Sequence, residues 1–135
     1  MEIIFTKSAE QTQKLGEKFA QDLKRGGLIC LYGDLGSGKT TFVQGLARGL
    51  GIKQRILSPT FLIVREYPNF YHLDLYRLQK SEEIADLGFR EMIENPQNVV
   101  VIEWAEKAKN LLPKERIEIN FEIVNENERK ITISR

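Results

Sequence analysis

The run Gly33-Asp34-Leu35-Gly36-Ser37-Gly38-Lys39-Thr40 matches the Walker A pattern Gly-x-x-x-x-Gly-Lys-Ser/Thr. Each position in it has a physical task. Glycines let the backbone fold into a concave nest whose N–H groups point inward, and a helix that follows adds its positive N-terminal dipole. Phosphate oxygens are the natural occupant of such a nest. Lys39 is then placed to set its ammonium against the β- and γ-phosphates. The Thr40 hydroxyl is placed to coordinate Mg²⁺, a hard cation that prefers oxygen ligands in octahedral geometry. Gly36 relaxes the loop further. The alternative is a bare strand-to-helix turn, but an unpaired lysine at a helix start works against the dipole unless an anion compensates.

Phosphoryl chemistry at such a loop also needs a carboxylate, to hold the metal's hydration shell or polarise a water. Glu103 follows the apolar run Val99-Val100-Val101-Ile102, so it emerges at the carboxyl edge of a strand, where open α/β sheets bind their ligands. The alternative for Glu103 is a charged residue capping a strand at the surface. Asp74, in His72-Leu73-Asp74-Leu75-Tyr76-Arg77, is the second candidate. In an extended strand His72, Asp74 and Tyr76 share one face, with Leu73 and Leu75 on the other. Its alternative is an ion-pair network with Arg77. A lone histidine such as His72 is more often a hydrogen-bonded structural residue than a ligand. Thr60, in Ser58-Pro59-Thr60-Phe61, offers a hydroxyl in the manner of a switch loop. Trp104 reads as core, or as a partner anchor if exposed.

The elements that must position these residues are legible around them. A short N-terminal strand precedes Ser8 and Gln11, a capping-box signal for a helix start. Leu15, Phe19 and Leu23 recur at i, i+4 and i+8, an amphipathic helix ending at Gly26-Gly27. Leu28 to Tyr32 lack alternation, which suits a strand buried on both faces of a parallel sheet. Thr41 to Leu50 carry Phe42, Leu46 and Leu50 at helical spacing, and Gly51 closes that helix. The glycine loop therefore lies between a strand and a helix, as its chemistry requires. Thr60–Glu66 and Phe70–Tyr76 read as strands joined by Tyr67-Pro68-Asn69. Ser81 to Glu94 reads as helical with a break at Gly88 and a stop at Asn95-Pro96. Val99 to Ile102 suit a sheet interior. Ile117, Ile119, Phe121 and Ile123 alternate with polar residues before Asn125-Glu126-Asn127-Glu128, Ile131 and Ile133, predicting an antiparallel hairpin with one wet face.

Composition narrows the classes. The chain has 135 residues, 41% apolar and 29% charged, with a formal net charge of +1. That length fits one domain spanning 1–135, able to bury its own core. The balance excludes a disordered or membrane-spanning chain and lacks the basic footprint of an autonomous nucleic-acid binder. If the protein serves RNA metabolism, a partner is expected to hold the RNA. The single cysteine, Cys30, sits between Ile29 and Leu31 and reads as a small buried hydrophobe. No secretory signal is visible at Met1 to Lys7, so a cytoplasmic location is the expectation.

Four segments taken together, Gly33 to Phe42, Ser58-Pro59-Thr60-Phe61, His72 to Arg77 and Ile102-Glu103-Trp104, resemble the TsaE (YjeE) family. The motifs occur in the family's order and cover the chain from about residue 8 onward. The resemblance implies a P-loop NTPase-like three-layer α/β/α fold with a mostly parallel central sheet and a C-terminal antiparallel hairpin. It implies a bacterial ATPase required for threonylcarbamoyladenosine, the modified nucleoside beside the anticodon of tRNAs that read codons starting with A. Family members are weak ATPases alone and act with the TsaB-TsaD heterodimer, hydrolysis resetting the complex between turnovers. Transfer of the threonylcarbamoyl group belongs to TsaD, and tRNA is met only through the complex. By motif position, Gly36, Ser37, Gly38, Lys39, Thr40 and Thr41 would contact the phosphates of ATP. Thr40 and Glu103 would hold Mg²⁺, and Asp74 would assist hydrolysis beside Lys39. Thr12 and Arg129 match family positions near the nucleotide, and Thr60 and Trp104 belong to family motifs as well.

Three function classes remain in view. A GTPase would need a base-reading Asn-Lys-x-Asp segment, and none occurs here, so ATP is favoured. A small-molecule kinase usually adds an arginine-bearing lid, and no arginine-dense insertion is evident. A nucleotide-dependent interaction module, in which ATP orders a surface and hydrolysis resets it, overlaps the family role.

Overall fold

The computed structural model describes residues 1–23, 25–53, 64–80 and 82–135. β1 (Glu2–Thr6) leads into α1 (Ala9–Phe19) and a 3₁₀ turn over Ala20–Leu23. Ser8 caps α1 with its hydroxyl accepting from the Gln11 N–H at 3.0 Å, and Gln11 Oε1 answers by accepting from the Lys7 N–H at 2.7 Å. The expected capping pair is therefore formed. The α-helix stops at Phe19 rather than at the glycine pair, because the chain tightens into the 3₁₀ turn first. Gly26, at φ 96°, then turns it into β2 (Gly27–Tyr32).

After the glycine loop come α2 (Lys39–Gly49), β3 (Val64–Tyr67), β4 (Phe70–Asp74), α3 (Glu82–Ala85) and α4 (Phe89–Glu94). β5 (Val99–Glu103), a 3₁₀ segment Ala105–Leu111, β6 (Ile117–Ile123) and β7 (Arg129–Ser134) complete the order. The break between α3 and α4 falls at Gly88, at φ 78°, as the sequence suggests. The strand through His72 ends at Asp74, two residues earlier than its apolar pattern predicts. Asp74 Oδ1 accepts from the Tyr76 N–H at 3.0 Å, and this local turn takes the chain out of the sheet. The expected switch-loop residue Thr60, the start of its strand and the Ser81 cap lie outside the described residues.

One seven-stranded sheet runs β1-β7-β6-β2-β5-β4-β3. β2 pairs in parallel with both β5 and β6, and β4 pairs in parallel with β5. The β1-β7, β6-β7 and β3-β4 pairings are antiparallel. The expected parallel sheet is thus its centre, and the sheet as a whole is mixed. The C-terminal hairpin forms as expected, yet it is no appendage. β6 is built into the parallel core against β2, and β7 carries the N-terminal strand beyond it.

Alternate residues of β2 and β5 face opposite layers, as a doubly covered strand requires. Ile29, Leu31, Val99 and Val101 pack with Phe19, Phe42 and Leu46 of the α1–α2 layer. Leu28, Cys30, Val100 and Ile102 pack with Ile84, Phe89, Met92, Ala105 and Ala108 on the other face. Helices therefore cover both sides, giving the three-layer arrangement. Burial pushes the Cys30 thiol up to about 12, which leaves it an inert core residue. Among the described residues no helix is long and apolar enough to cross a membrane.

The α1–α2 contact sets where the glycine loop points, and it depends on backbone touching backbone. A Cβ on Gly45 would lie 1.8 Å from the Gln13 carbonyl oxygen, and one on Gly16 would lie 2.3 Å from that of Phe42. Neither carbonyl belongs to a side chain that can swing away. Gly45→Ala is expected to destabilise the fold by about 3 kcal/mol through forced separation of the two helices. Urea unfolding followed by circular dichroism checks this, and an unchanged midpoint would refute the close approach.

Candidate functional site

β2 delivers the chain to the loop, and its neighbours deliver the carboxylates. Leu31 of β2 and Asp74 of β4 both stand in register with Glu103 of β5, so the carboxyl ends of three adjacent strands finish together. Gly33 to Gly38 then wrap back over this edge. Gly38 sits at φ 104° and takes the N-cap position of α2 without any side chain to satisfy the first N–H groups. Gly36, at φ 77°, has open space where a Cβ would be. The result is a helix N-terminus whose free donors open on a cleft of about 290 Å³.

That cleft gathers every site residue expected from the sequence and lying among the described residues. Thr12, Gly36, Ser37, Gly38, Lys39, Thr40, Thr41, Asp74, Glu103 and Arg129 all line it. Ser37 is buried, and its hydroxyl has no hydrogen-bond partner among the described residues. Buried hydroxyls rarely stay unpaired without a functional reason.

Lys39 is only 4% exposed, its ammonium donating to the Gly33 carbonyl and standing 3.7 Å from the centre of the Trp104 ring. Burial lowers its pKa from the ordinary lysine value, against the opposing pull of Glu103, Glu106, Asp74 and Asp34. A partly desolvated ammonium at a helix N-terminus is electrostatically uncomfortable, and an anion in the cleft relieves it. Trp104, in the left-handed region at φ 59°, stacks against Tyr76 at 5.0 Å as well as against Lys39. Its ring thus forms part of the cleft wall while also packing against the core beneath.

Glu103 is 3% exposed, which overturns its reading as a surface strand cap. Thr40 Oγ1 donates to its carboxylate, 3.0 Å from Oε2 and 3.2 Å from Oε1. His72 Nε2 lies 2.6 Å from the same Oε2. Asp74 sits on the same face of the sheet as His72, and burial raises its pKa, partly offset by the Tyr76 N–H. Among the described residues no three His, Cys, Asp or Glu side chains gather as a metal-holding group. A cation beside Thr40 and Glu103 would complete its shell with phosphate oxygens and water, the habit of Mg²⁺.

Thr12 and Arg129 line the cleft with polar groups already engaged by other parts of the chain. The Thr12 hydroxyl is engaged at 2.7 Å by Thr6 and at 3.3 Å by the Ser8 carbonyl, so its methyl side faces the loop. Arg129 donates through Nη2 to the Gly36 carbonyl at 3.0 Å. Its Nη1 reaches the carbonyls of Asn125, Glu126 and Glu128 at 2.8, 3.3 and 3.0 Å. One guanidinium therefore ties the glycine loop to the β6–β7 turn. Sequence reasoning missed Ser8, Glu126 and Asn127 in the lining and the His72–Glu103 contact. The first three read as cap and turn residues, and nothing local signals the fourth.

Known proteins resemble this chain along nearly its whole length. The family model described as "Threonylcarbamoyl adenosine biosynthesis protein TsaE" matches residues 6–131. The tRNA threonylcarbamoyladenosine biosynthesis protein TsaE of Rickettsia felis is 41% identical over 136 residues, covering 97% of this chain and 78% of that protein. Its namesake in Bacillus subtilis is 40% identical over 133 residues, covering 96% and 82%. A crystal structure of Bacillus subtilis YdiB superposes with a TM-score of 0.81 at 36% identity, covering 98% of this chain and 83% of that one. With a family model matched over residues 6–131 and relatives about 40% identical over nearly the whole chain, the chain belongs to the TsaE family of threonylcarbamoyladenosine biosynthesis proteins.

Proposed function

We propose that this chain is a single-domain P-loop ATPase, Mg²⁺-dependent and weak on its own, that serves threonylcarbamoyladenosine modification of tRNA together with the TsaB-TsaD heterodimer. The observation that carries this reading is the convergence, in one cleft, of a half-desolvated Lys39 ammonium, the unpartnered Ser37 hydroxyl and the Thr40–Glu103 pair. ATP supplies what each of them lacks. Its β- and γ-phosphates accept from Lys39, Ser37 and the first N–H groups of α2, with Gly36, Gly38 and Thr41 shaping the surround. Bound Mg²⁺ supplies charge neutralisation at the phosphates, held on the protein side by Thr40 and Glu103. Asp74, whose pKa burial raises above the ordinary carboxylate value and so makes it a better proton acceptor, takes the role of orienting or accepting a proton from the attacking water.

Among the described residues the arginine lining the cleft is Arg129, and its geometry disfavours a kinase-like clamp. Through Nη1 and Nη2 it reaches four backbone carbonyls, which makes it a brace for the loop. Thr12 likewise serves the nucleotide by backing the loop with its methyl group. With a formal charge of only +1, the chain meets tRNA through its protein partners in a cytoplasmic setting.

Phosphate release measured alone, with candidate small acceptors, and with TsaB-TsaD tests the assignment. Stimulation by the heterodimer alone is the expected result. A phosphorylated acceptor would move the protein to the kinases, and ATP binding without release under any condition would leave an interaction module.

A further inference from the structure

The imidazole of His72 is fully buried, and its polar contact is to a single group. Nε2 lies 2.6 Å from Glu103 Oε2, while Nδ1 has no hydrogen-bond partner among the described residues. A histidine kept only to satisfy a core would be expected to pair both nitrogens. A carboxylate oxygen accepts, so the tautomer with its hydrogen on Nε2 is the one that donates to Glu103. Glu103 then has two donors fixed around it, Thr40 from α2 and His72 from the neighbouring strand. Thr40 reaches both carboxylate oxygens, whereas His72 meets Oε2 and leaves Oε1 unengaged by its ring.

We infer that His72 is a positioning residue, locking the Glu103 carboxylate so that Oε1 and the Thr40 hydroxyl present a ready-made edge to the nucleotide-bound cation. This inference rests on the Mg²⁺–ATP reading proposed above. The physical basis is general: groups that orient a metal-holding side chain from behind commonly alter metal affinity by about 10- to 100-fold when removed. A buried carboxylate held by one hydroxyl alone has another rotamer open to it. With the imidazole in place, that freedom is gone before the cation arrives.

Calorimetric titration of ATP, first with EDTA and then with Mg²⁺, separates the roles. For the wild type, Mg²⁺ should tighten binding. His72→Asn, whose amide is too short to reach Glu103, should reduce that tightening by about tenfold while leaving magnesium-free affinity unchanged. His72→Gln, which can place an N–H near the imidazole Nε2 position, should restore most of it. A His72→Asn protein that keeps the full magnesium response, or a His72→Gln protein no better than it, overturns the inference and leaves ATP binding standing. A wild type that binds no ATP, or ignores magnesium, brings down the functional proposal and this inference together. Should both variants fail to fold, the wild type still decides. The chain has one histidine, so its imidazole ¹⁵N signals are unambiguous. They should report a hydrogen-bonded Nε2–H and shift when Mg²⁺ joins a complex with a non-hydrolysable ATP analogue. Signals that stay put refute the positioning role.

Discussion

Lys39→Ala is expected to weaken ATP binding at least 100-fold, equivalent to about 3 kcal/mol, in isothermal calorimetry with Mg²⁺ present. An ammonium donating to two phosphate oxygens in a partly desolvated cleft accounts for a loss of that size. The same ammonium should burden the free protein. Burial lowers its pKa, so the folded chain holds this proton less tightly than the unfolded chain does. Between the lowered value and the ordinary 10.5, the unfolded state binds more protons and stability rises with pH. Below that window the full cost of the charge is present. Lys39→Met keeps the apolar stem and removes the charge, and at neutral pH it should raise stability by about 1 kcal/mol while binding ATP as poorly as Lys39→Ala. Thermal melts of free and ATP-saturated protein read both effects. A Lys39→Met protein that binds ATP normally would remove the central support of the phosphate-site proposal.

Glu103→Gln should lower the rate of phosphate release by roughly 100-fold or more while ATP affinity changes by less than about fivefold. The substitution isolates charge from shape. Oε2 alone lies within 3.0 Å of Thr40 Oγ1 and 2.6 Å of His72 Nε2, so one amide oxygen placed there keeps both hydrogen bonds. What disappears is the negative charge facing the cation. Stopped-flow phosphate detection with TsaB-TsaD present, beside equilibrium ATP titration, distinguishes the two quantities. Hydrolysis at the wild-type rate would show that the metal and the water are managed by another group, and Asp74 would be next to test.

Local patterns in the sequence carried much of this architecture. The Ser8 cap, the doubly buried β2, the break at Gly88 and the alternating C-terminal strands follow from propensity and periodicity, which act over a few residues. The glycine loop was equally easy to locate because its residues are contiguous. Long-range pairing was not. Nothing near Ile117 says that β6 lies parallel to β2, nor does anything near Glu2 say that β1 lies against β7. For the same reason the His72–Glu103 contact was invisible, since it depends on β4 and β5 being neighbours in one register. The early end of β4 was lost to a side-chain turn at Asp74 that competes with strand geometry. Nothing in the local pattern marks Gly16 and Gly45, because their value lies in a carbonyl on another element.

The pairing of Glu2 with Ile133 carries a consequence for synthesis. Among the described strands β1 comes before all the others in sequence, and the partner it pairs with, β7, comes after them. Closing so long a loop is entropically slow, so the outer half of the sheet must wait until β7 has been made. Arg129, the brace on Gly36, belongs to that same strand. The hydrogen bond that braces the glycine loop therefore forms only after the strand carrying Arg129 has been made, long after the loop itself.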